Sequence, residues 1–143
     1  MQLTRYTDYG LRTLIYLALL PDGKRANIDE ISVTYDISRN NVNKIVHHLG
    51  KAGVIETKRG KGGGFALKME PEQINLAEMV RLLENSVDVV ECHKPACKIL
   101  PACKLKGALA QATHAFFEVL AGFTLADLLA GKEDSLVQIL ELS

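Results

Sequence analysis

Two short helical patterns, joined by a two-residue connection, dominate the first half of the sequence and leave few folds open. The first pattern covers residues 29–35, and residues 36–37 form the connection. Ser38 is a preferred N-cap for the next helix, which is predicted to reach residue 52, and Gly53 follows where glycine commonly ends a helix. A short helix, a tight turn and a second helix are typical of a helix-turn-helix.

The helix that begins after Ser38 has one apolar and one polar face. Its apolar residues recur at helical spacing and predict a buried stripe of Val42, Ile45, Val46 and Leu49. The opposite face consists of Asn40, Lys44, His47 and Lys51, with Asn43 and His48 beside it. None of these residues is acidic. Amides pair with adenine edges, and cations pair with guanine edges or phosphates, so we expect this face to contact a DNA major groove rather than only water. The expected contacts are Ser38, Arg39, Asn40, Asn43, Lys44, His47 and Lys51.

Two predicted strands, at residues 54–58 and 65–67, flank a glycine-rich segment that contains two cations. Glycine supplies the positive φ angles of a hairpin tip, and Arg59 and Lys61 on such a tip can reach phosphates or a minor groove. A Walker-type phosphate loop is rejected, because Gly62 follows Lys61 where Ser or Thr is required. Together with a first helix at residues 7–20, the pattern predicts a mainly α, winged helix-turn-helix fold.

The charge is unevenly distributed along the chain. Its 143 residues include 17 Lys and Arg and 17 Asp and Glu, and a net charge of zero, taken alone, argues against a nucleic-acid partner. Residues 1–70, however, hold eleven basic and seven acidic side chains, and residues 71–143 hold six and ten. Residues 38–68 hold seven basic side chains and one acidic side chain. The positive charge is therefore concentrated on the predicted DNA-binding part.

The second half of the chain predicts a helix from Asn75 to about residue 84, an ordered loop, a long helix at residues 103–123 and a short helix at 124–130. The long helix carries a heptad seam of Leu105, Leu109, Ala112, Phe116, Val119 and Phe123. A second copy of the chain is the simplest partner for this seam, and packing against the chain's own winged helix is the alternative.

The predicted divisions of the chain are a winged helix (1–83), a cysteine loop (84–104) and a dimerisation helix with a tail (105–143).

No membrane or secretory segment is expected. The longest apolar run, residues 11–20, is too short to span a bilayer, and the N-terminus lacks the pattern of a cleaved leader. We therefore expect a cytoplasmic protein.

All three cysteines, Cys92, Cys97 and Cys103, lie within a loop that also contains Pro95 and Pro101. Their spacing matches neither a zinc-ribbon pair nor the bacterial ferredoxin run, but three thiolates can hold a soft metal centre that takes its fourth ligand from elsewhere. By residue type, the sources of that ligand are His93, His114, Asp88, Glu91 and a partner subunit. Nearby lysines would favour thiolates and balance their charge. Buried free thiols, redox thiols and structural zinc are the alternatives.

The residues described so far, in their order, resemble one known family. The segments are residues 1–12, the helix start at 38–41, the wing at 59–64 and the three cysteines followed by Lys-Leu-Lys. They resemble the NsrR-type nitric-oxide-sensing repressors, a branch of the winged-helix family that also includes the iron–sulfur regulator IscR. The resemblance implies an iron–sulfur cluster, [2Fe-2S] or [4Fe-4S], on Cys92, Cys97 and Cys103. It also implies that Asp8 of the opposing subunit is the fourth ligand.

One departure separates this chain from IscR-like relatives, which use a His shortly after the third cysteine. Here the first His after Cys103 is His114, and this favours the NsrR-type branch. The implied function is a homodimeric repressor of nitrosative-stress genes that binds palindromic operator DNA and releases it when nitric oxide attacks the cluster. The alternative is a winged-helix regulator that senses iron–sulfur status, redox state or zinc through the same cysteines. The sequence shows neither a nucleophile–base arrangement nor a cofactor loop, so it does not predict an enzyme.

Overall fold

The computed structural model describes residues 1–142 and consists mainly of helices. An antiparallel two-stranded hairpin interrupts the helices after the third of them. The elements are α1 (Arg5–Ala18), α2 (Ile28–Tyr35), α3 (Arg39–Lys51), β1 (Ile55–Lys58), β2 (Gly64–Leu67), α4 (Leu76–Leu83), α5 (Leu105–Leu120), α6 (Leu125–Leu129) and α7 (Glu133–Ile139). Two short 3-10 turns, at Pro71–Gln73 and Leu100–Ala102, complete the order.

The first three helices and the hairpin enclose one apolar core, as the sequence predicted. Leu14 of α1, Ile31 of α2 and Ile45 of α3 are fully buried in it. Ala26, which precedes α2, exchanges two backbone hydrogen bonds with Phe65 of β2, at 2.9 and 2.8 Å. This bridge attaches the hairpin to the helical body, so the predicted winged helix is confirmed.

Helix α4 packs closely against α1 because the facing residue on α1 is a glycine. A Cβ atom at Gly10 would lie 2.7 Å from the Cδ1 atom of Leu83, closer than carbon atoms approach without displacement. The side chain of Asn75 caps α4 by accepting hydrogen bonds from the backbone of Ala77 and Glu78, as the sequence predicted.

Helix α5 extends from this body, and the chain then returns to it. Phe117 of α5 is buried against Ala77 and Val80 of α4. After α5, Leu125 and Leu129 of α6 are buried in the same core as α1. The capping box of Thr124 and Asp127 at the start of α6 confirms the short helix predicted there.

Several element boundaries differ from the sequence predictions, most clearly those of α1 and α5. Helix α1 begins earlier than residue 7, because the Thr4 side chain caps it by accepting a hydrogen bond from the backbone of Thr7. Helix α5 begins after Cys103 and ends at Leu120 rather than at residue 123. The sequence specified the last residues weakly and did not predict α7. Within residues 1–142, no helix is long and apolar enough to cross a membrane.

Candidate DNA-reading face and cysteine loop

Helix α3 presents its polar face to solvent, as its amphipathic pattern predicted. The Ser38 hydroxyl accepts a hydrogen bond from the Asn41 backbone N–H at 3.2 Å and fixes the start of the helix. All four residues of the predicted stripe are buried. The residues expected to contact DNA from this helix are all exposed, namely Ser38, Arg39, Asn40, Asn43, Lys44, His47 and Lys51. Amide, imidazole and cationic groups thus share a surface without a carboxylate of its own.

The first residue of α3 is nonetheless paired with an acid from the preceding helix. The Arg39 guanidinium forms an ion pair with Asp29 of α2. Both side chains are about two-thirds exposed, at 67% and 63%, so water screens the pair and it contributes little to stability. A phosphate or guanine edge can therefore compete with Asp29 for Arg39 at low cost.

His48 has a different role from the exposed groups beside it. Its Nδ1 atom lies 2.8 Å from the Tyr6 hydroxyl, and the two rings stack with centroids 5.9 Å apart at 26°. Burial raises the pKa of Tyr6, so its hydroxyl remains protonated at neutral pH. His48 therefore joins α3 to the first turn of α1 and is less exposed than His47 and Lys44.

The wing exposes both predicted cations at its tip. Arg59 and Lys61 are exposed, and the neighbouring Gly60 and Gly62 have φ angles of 89° and 74°, which glycine adopts without strain. Gly64 has a φ of 127°, and a Cβ atom there would collide with the carbonyl oxygen of Ala26. Glycine is therefore required where the wing meets the body.

An ion pair that the sequence did not reveal supports the base of the wing. The Nη2 atom of Arg25 donates to Oε1 of Glu56 on β1 at 3.0 Å, and the Arg25 side chain is 22% exposed. Its Nη1 atom is buried without a hydrogen-bond partner. Arg25 and Glu56 lie 31 residues apart, so no local pattern announces the pair.

All three cysteines are free thiols on a loop that turns back on itself. The backbone N–H of Cys97 donates to the carbonyl of Cys92 at 3.0 Å, and that of Cys103 donates to Leu100 at 3.4 Å. Cys92 is buried, Cys97 is exposed and Cys103 is intermediate. Within the described part of the chain, no three His, Cys, Asp or Glu side chains are grouped closely enough to hold a metal ion. The three thiols of the single chain thus lie on one loop but are too far apart to bind one metal ion together.

Asp8, the fourth ligand implied by the resemblance, lies in the first turn of α1. Its carboxylate accepts two hydrogen bonds from the Arg12 guanidinium, both at 2.9 Å. The Asp8 side chain is 43% exposed, so its carboxylate lies at the surface of the single chain. The other suggested ligands, Asp88, Glu91, His93 and His114, are all exposed, and His114 forms an ion pair with Glu118 at 3.7 Å when protonated.

The thiol set fits an iron–sulfur cluster by its donor chemistry. Thiolates are the ligands that such clusters take in proteins, and no disulfide consumes any of the three cysteines. Lys94 and Lys98 on the loop are exposed beside Cys97 and can offset negative charge on thiolates. The three cysteines are therefore suitable ligands for such a cluster, and a cluster with four ligands would take one more from another residue.

Glu84 lies where α4 ends and the cysteine loop begins, which we call the root of the loop. No local sequence pattern indicated a role for it. Its carboxylate accepts hydrogen bonds from the hydroxyls of Thr4 and Thr7 at 2.5 and 2.6 Å, and from the Thr4 backbone at 3.0 Å. Partial burial alone would raise the pKa of Glu84, but these hydrogen bonds outweigh burial and lower it. Glu84 is thus a carboxylate at neutral pH that fastens the end of α4 to the start of α1.

The heptad seam of α5 is largely uncovered in the single chain. Leu105, Val119 and Phe123 are 59%, 69% and 46% exposed, and Ala112 is exposed as well. Leu109 and Phe116 are partly buried and line a groove of about 660 Å³ with the N-terminal residues and the start of the cysteine loop. The contact between α5 and the chain's own winged helix is made mainly by Phe117, next to the seam.

A winged helix in which α3 exposes a polar face without carboxylates is typical of one class of protein, the winged helix-turn-helix transcriptional regulators. Comparison with known families places the chain within that class. Residues 3–131 match the Rrf2 family, which is described as an iron-dependent transcriptional regulator, and the chain belongs to this family. It is therefore a transcriptional regulator and not an enzyme, as predicted.

A curated relative agrees with this assignment, and solved structures share the fold. The chain is 47% identical to the HTH-type transcriptional regulator NsrR of Bacillus subtilis over 94% of each chain. The solved structure of T. potens IscR superposes with a TM-score of 0.75 at 24% identity, covering 94% of this chain and 90% of that one. CymR, described as the global cysteine regulator of B. subtilis, gives a TM-score of 0.70 at 26% identity, covering 90% and 95%. The match to the curated NsrR and the match to the Rrf2 family confirm the resemblance to NsrR.

Proposed function

We propose that the chain is a homodimeric repressor whose affinity for palindromic operator DNA depends on an iron–sulfur cluster and falls when nitric oxide reacts with it. The observation that carries this proposal is an exposed, carboxylate-free reading helix in the same chain as a loop of three free thiols. Similarity to NsrR supports the choice of signal. The genes under its control are those of nitrosative stress.

Helix α3 enters the major groove, and the wing reaches the adjacent minor groove. The amides of Asn40 and Asn43 suit adenine edges, and Lys44 suits guanine or phosphate. Arg59 and Lys61, on a glycine-flexible tip, suit backbone phosphates and a minor groove. These groups are all exposed in the free chain, so they need no refolding to bind.

A second copy of the chain covers the seam of α5. Val119 and Phe123 are large apolar residues that water otherwise surrounds, and burying them on association is favourable. A two-fold dimer places two copies of α3 one or more helical turns of DNA apart, and it therefore reads a palindrome.

Cys92, Cys97 and Cys103 of one subunit would hold the cluster, with Asp8 of the partner subunit as the fourth ligand. When bound, the cluster supplies iron atoms that react with nitric oxide. Asp8 is held by Arg12 in the single chain, but the pair is nearly half exposed on both sides, so its carboxylate exchanges partners at low cost. A ligand shared between subunits would fix the separation of the two reading helices.

Anaerobic purification followed by iron and sulfide analysis tests the cluster, and substitution tests the fourth ligand. We expect the wild-type protein to contain iron and acid-labile sulfide, and Asp8→Ala to alter the absorption and circular dichroism of the cluster. Arg12→Ala is the matched control, because it breaks the same ion pair but keeps the carboxylate. An Asp8→Ala cluster identical to that of the wild type would rule out Asp8 as a ligand.

A thiol or zinc sensor is the second function that the loop supports. The exposed Cys97 is accessible to oxidants, and a fold relative, CymR, is described as a cysteine regulator. A colourless protein with stoichiometric zinc, or with reversible thiol oxidation that changes DNA affinity, would favour this alternative.

A further inference from the structure

The first turn of α1 is fastened on one side to the root of the cysteine loop. The hydroxyls of Thr4 and Thr7 and the backbone N–H of Thr4 all donate to the Glu84 carboxylate. Thr7 is completely buried, so its hydroxyl cannot exchange Glu84 for water without local opening. Glu84 caps the end of α4, and the loop with the cysteines begins at the next residue.

The same turn is fastened on its other side to the reading helix. Tyr6 lies between the two threonines in sequence, and its ring stacks on His48 of α3 while its hydroxyl shares a hydrogen bond with Nδ1. His48 directly follows His47, one of the exposed groups of the proposed DNA face. Tyr6 and Glu84 therefore belong to two sets of contacts that meet at the same turn of α1.

We propose that the first turn of α1 couples the cysteine loop to the reading helix, with Tyr6, His48 and Glu84 as the positioning residues. Hydrogen bonds join Glu84 to Thr4 and Thr7, the backbone of α1 links these residues to Tyr6, and a hydrogen bond and a ring contact join Tyr6 to His48. Because coupling between two sites is reciprocal, DNA bound at α3 must affect the loop as much as the loop affects DNA binding. This inference rests on the proposed function only in taking α3 as the DNA-binding helix.

The thiols themselves report the state of the loop. Cys92 is buried and reacts with an alkylating reagent only when the loop opens, whereas Cys97 is exposed and reacts directly. The ratio of the two alkylation rates therefore measures loop opening and does not depend on the concentration of the reagent. The measurement uses the full-length, metal-free chain, iodoacetamide and peptide mass spectrometry, with and without a saturating duplex of about 30 base pairs at low salt.

In the wild type we expect the duplex to lower the Cys92 to Cys97 rate ratio by about fivefold or more, within the usual range of coupling between sites. In Tyr6→Phe, which keeps the ring but removes the hydroxyl, and in Glu84→Gln, which leaves only one acceptor oxygen, we expect the saturating duplex to leave the ratio unchanged. Tyr9→Phe is the matched control, since it removes a hydroxyl from the same helix outside these contacts, and it should behave as the wild type.

Two results would overturn the coupling. One is a wild-type ratio that the duplex does not change. The other is a decrease of equal size in Tyr6→Phe and Glu84→Gln, which would indicate that DNA shields Cys92 directly. Because the experiment involves neither iron nor nitric oxide, its outcome is independent of whether the proposed signal is correct.

Discussion

Lys44 illustrates how one exposed residue on α3 can be assigned a measurable role. It lies on the polar face of a helix whose other face is buried, and it has no carboxylate partner among the ion pairs of the described residues. A free cation in this position is available to a phosphate or a guanine. Arg39, by contrast, must first leave Asp29.

We predict that Lys44→Ala weakens operator binding and flattens the dependence of log affinity on log salt by about one, because one phosphate contact is lost. Lys132→Ala, which removes an exposed cation at the start of α7, controls for the change in net charge. Fluorescence anisotropy across a salt series measures both slopes. Equal slopes for Lys44→Ala and the wild type would place Lys44 outside the DNA contact.

Sequence reasoning identified residues through local periodicity and missed those whose partners are distant. The polar face of α3 follows from a 3.6-residue repeat, so its exposure could be predicted. Tyr6 and His48 are 42 residues apart, and Thr7 and Glu84 are 77 apart, so only the folded chain brings them together. Asp8 was indicated by family resemblance alone, and the structure shows its carboxylate engaged by Arg12.

At the scale of elements, the wing depends on a glycine that no other residue can replace without strain. We predict that Gly64→Ala destabilises the protein by about 1–3 kcal/mol, because it combines a positive φ with a collision against the Ala26 carbonyl. Gly50→Ala is the control, since that glycine lies within α3 with open space around it, and alanine favours a helix. Urea unfolding measures both; a Gly64→Ala protein as stable as the wild type would contradict this account of the wing.

Helix α5 is the element whose seam stays largely exposed in the single chain and which we propose a second copy covers. We predict that Val119→Glu, on the exposed seam, shifts the protein toward monomers, because burying an unpaired charge in the proposed interface is unfavourable. Gln111→Glu places the same charge on α5 at an exposed position off the seam and should leave the dimer intact. Sedimentation velocity distinguishes the two, and dimers of equal stability in both variants would exclude the seam as the interface.

Elements with strong caps were predictable, and one without a cap was not. The sequence pattern of a capping box at Thr124 and Asp127 predicted α6, and the structure contains that box. Helix α7 has no side-chain hydrogen bond at its Lys132 N-cap, and its partly buried residues, Leu136 and Val137, pack on the main core only in the folded chain. Tertiary packing, rather than local sequence, therefore specifies α7.

At the scale of the whole molecule, the neutral net charge combines two opposite halves with different tasks. The basic first half contains α3 and the wing, and the acidic second half contains α5 and the C-terminal helices. The last helices return to the core of the first half, so the two charge regions belong to one packed body. The proposed signal must therefore travel a short distance, from the cysteine loop through the first turn of α1 to α3.

The central claim is that the cluster state controls DNA affinity, and one measurement tests it directly. Anaerobic, cluster-loaded protein is titrated against an operator selected from random duplexes, before and after treatment with stoichiometric nitric oxide. We predict that nitric oxide weakens binding by about 5- to 150-fold, the usual range of coupling between two sites. An operator affinity that nitric oxide leaves unchanged, in protein verified to contain iron and sulfide, would contradict the account.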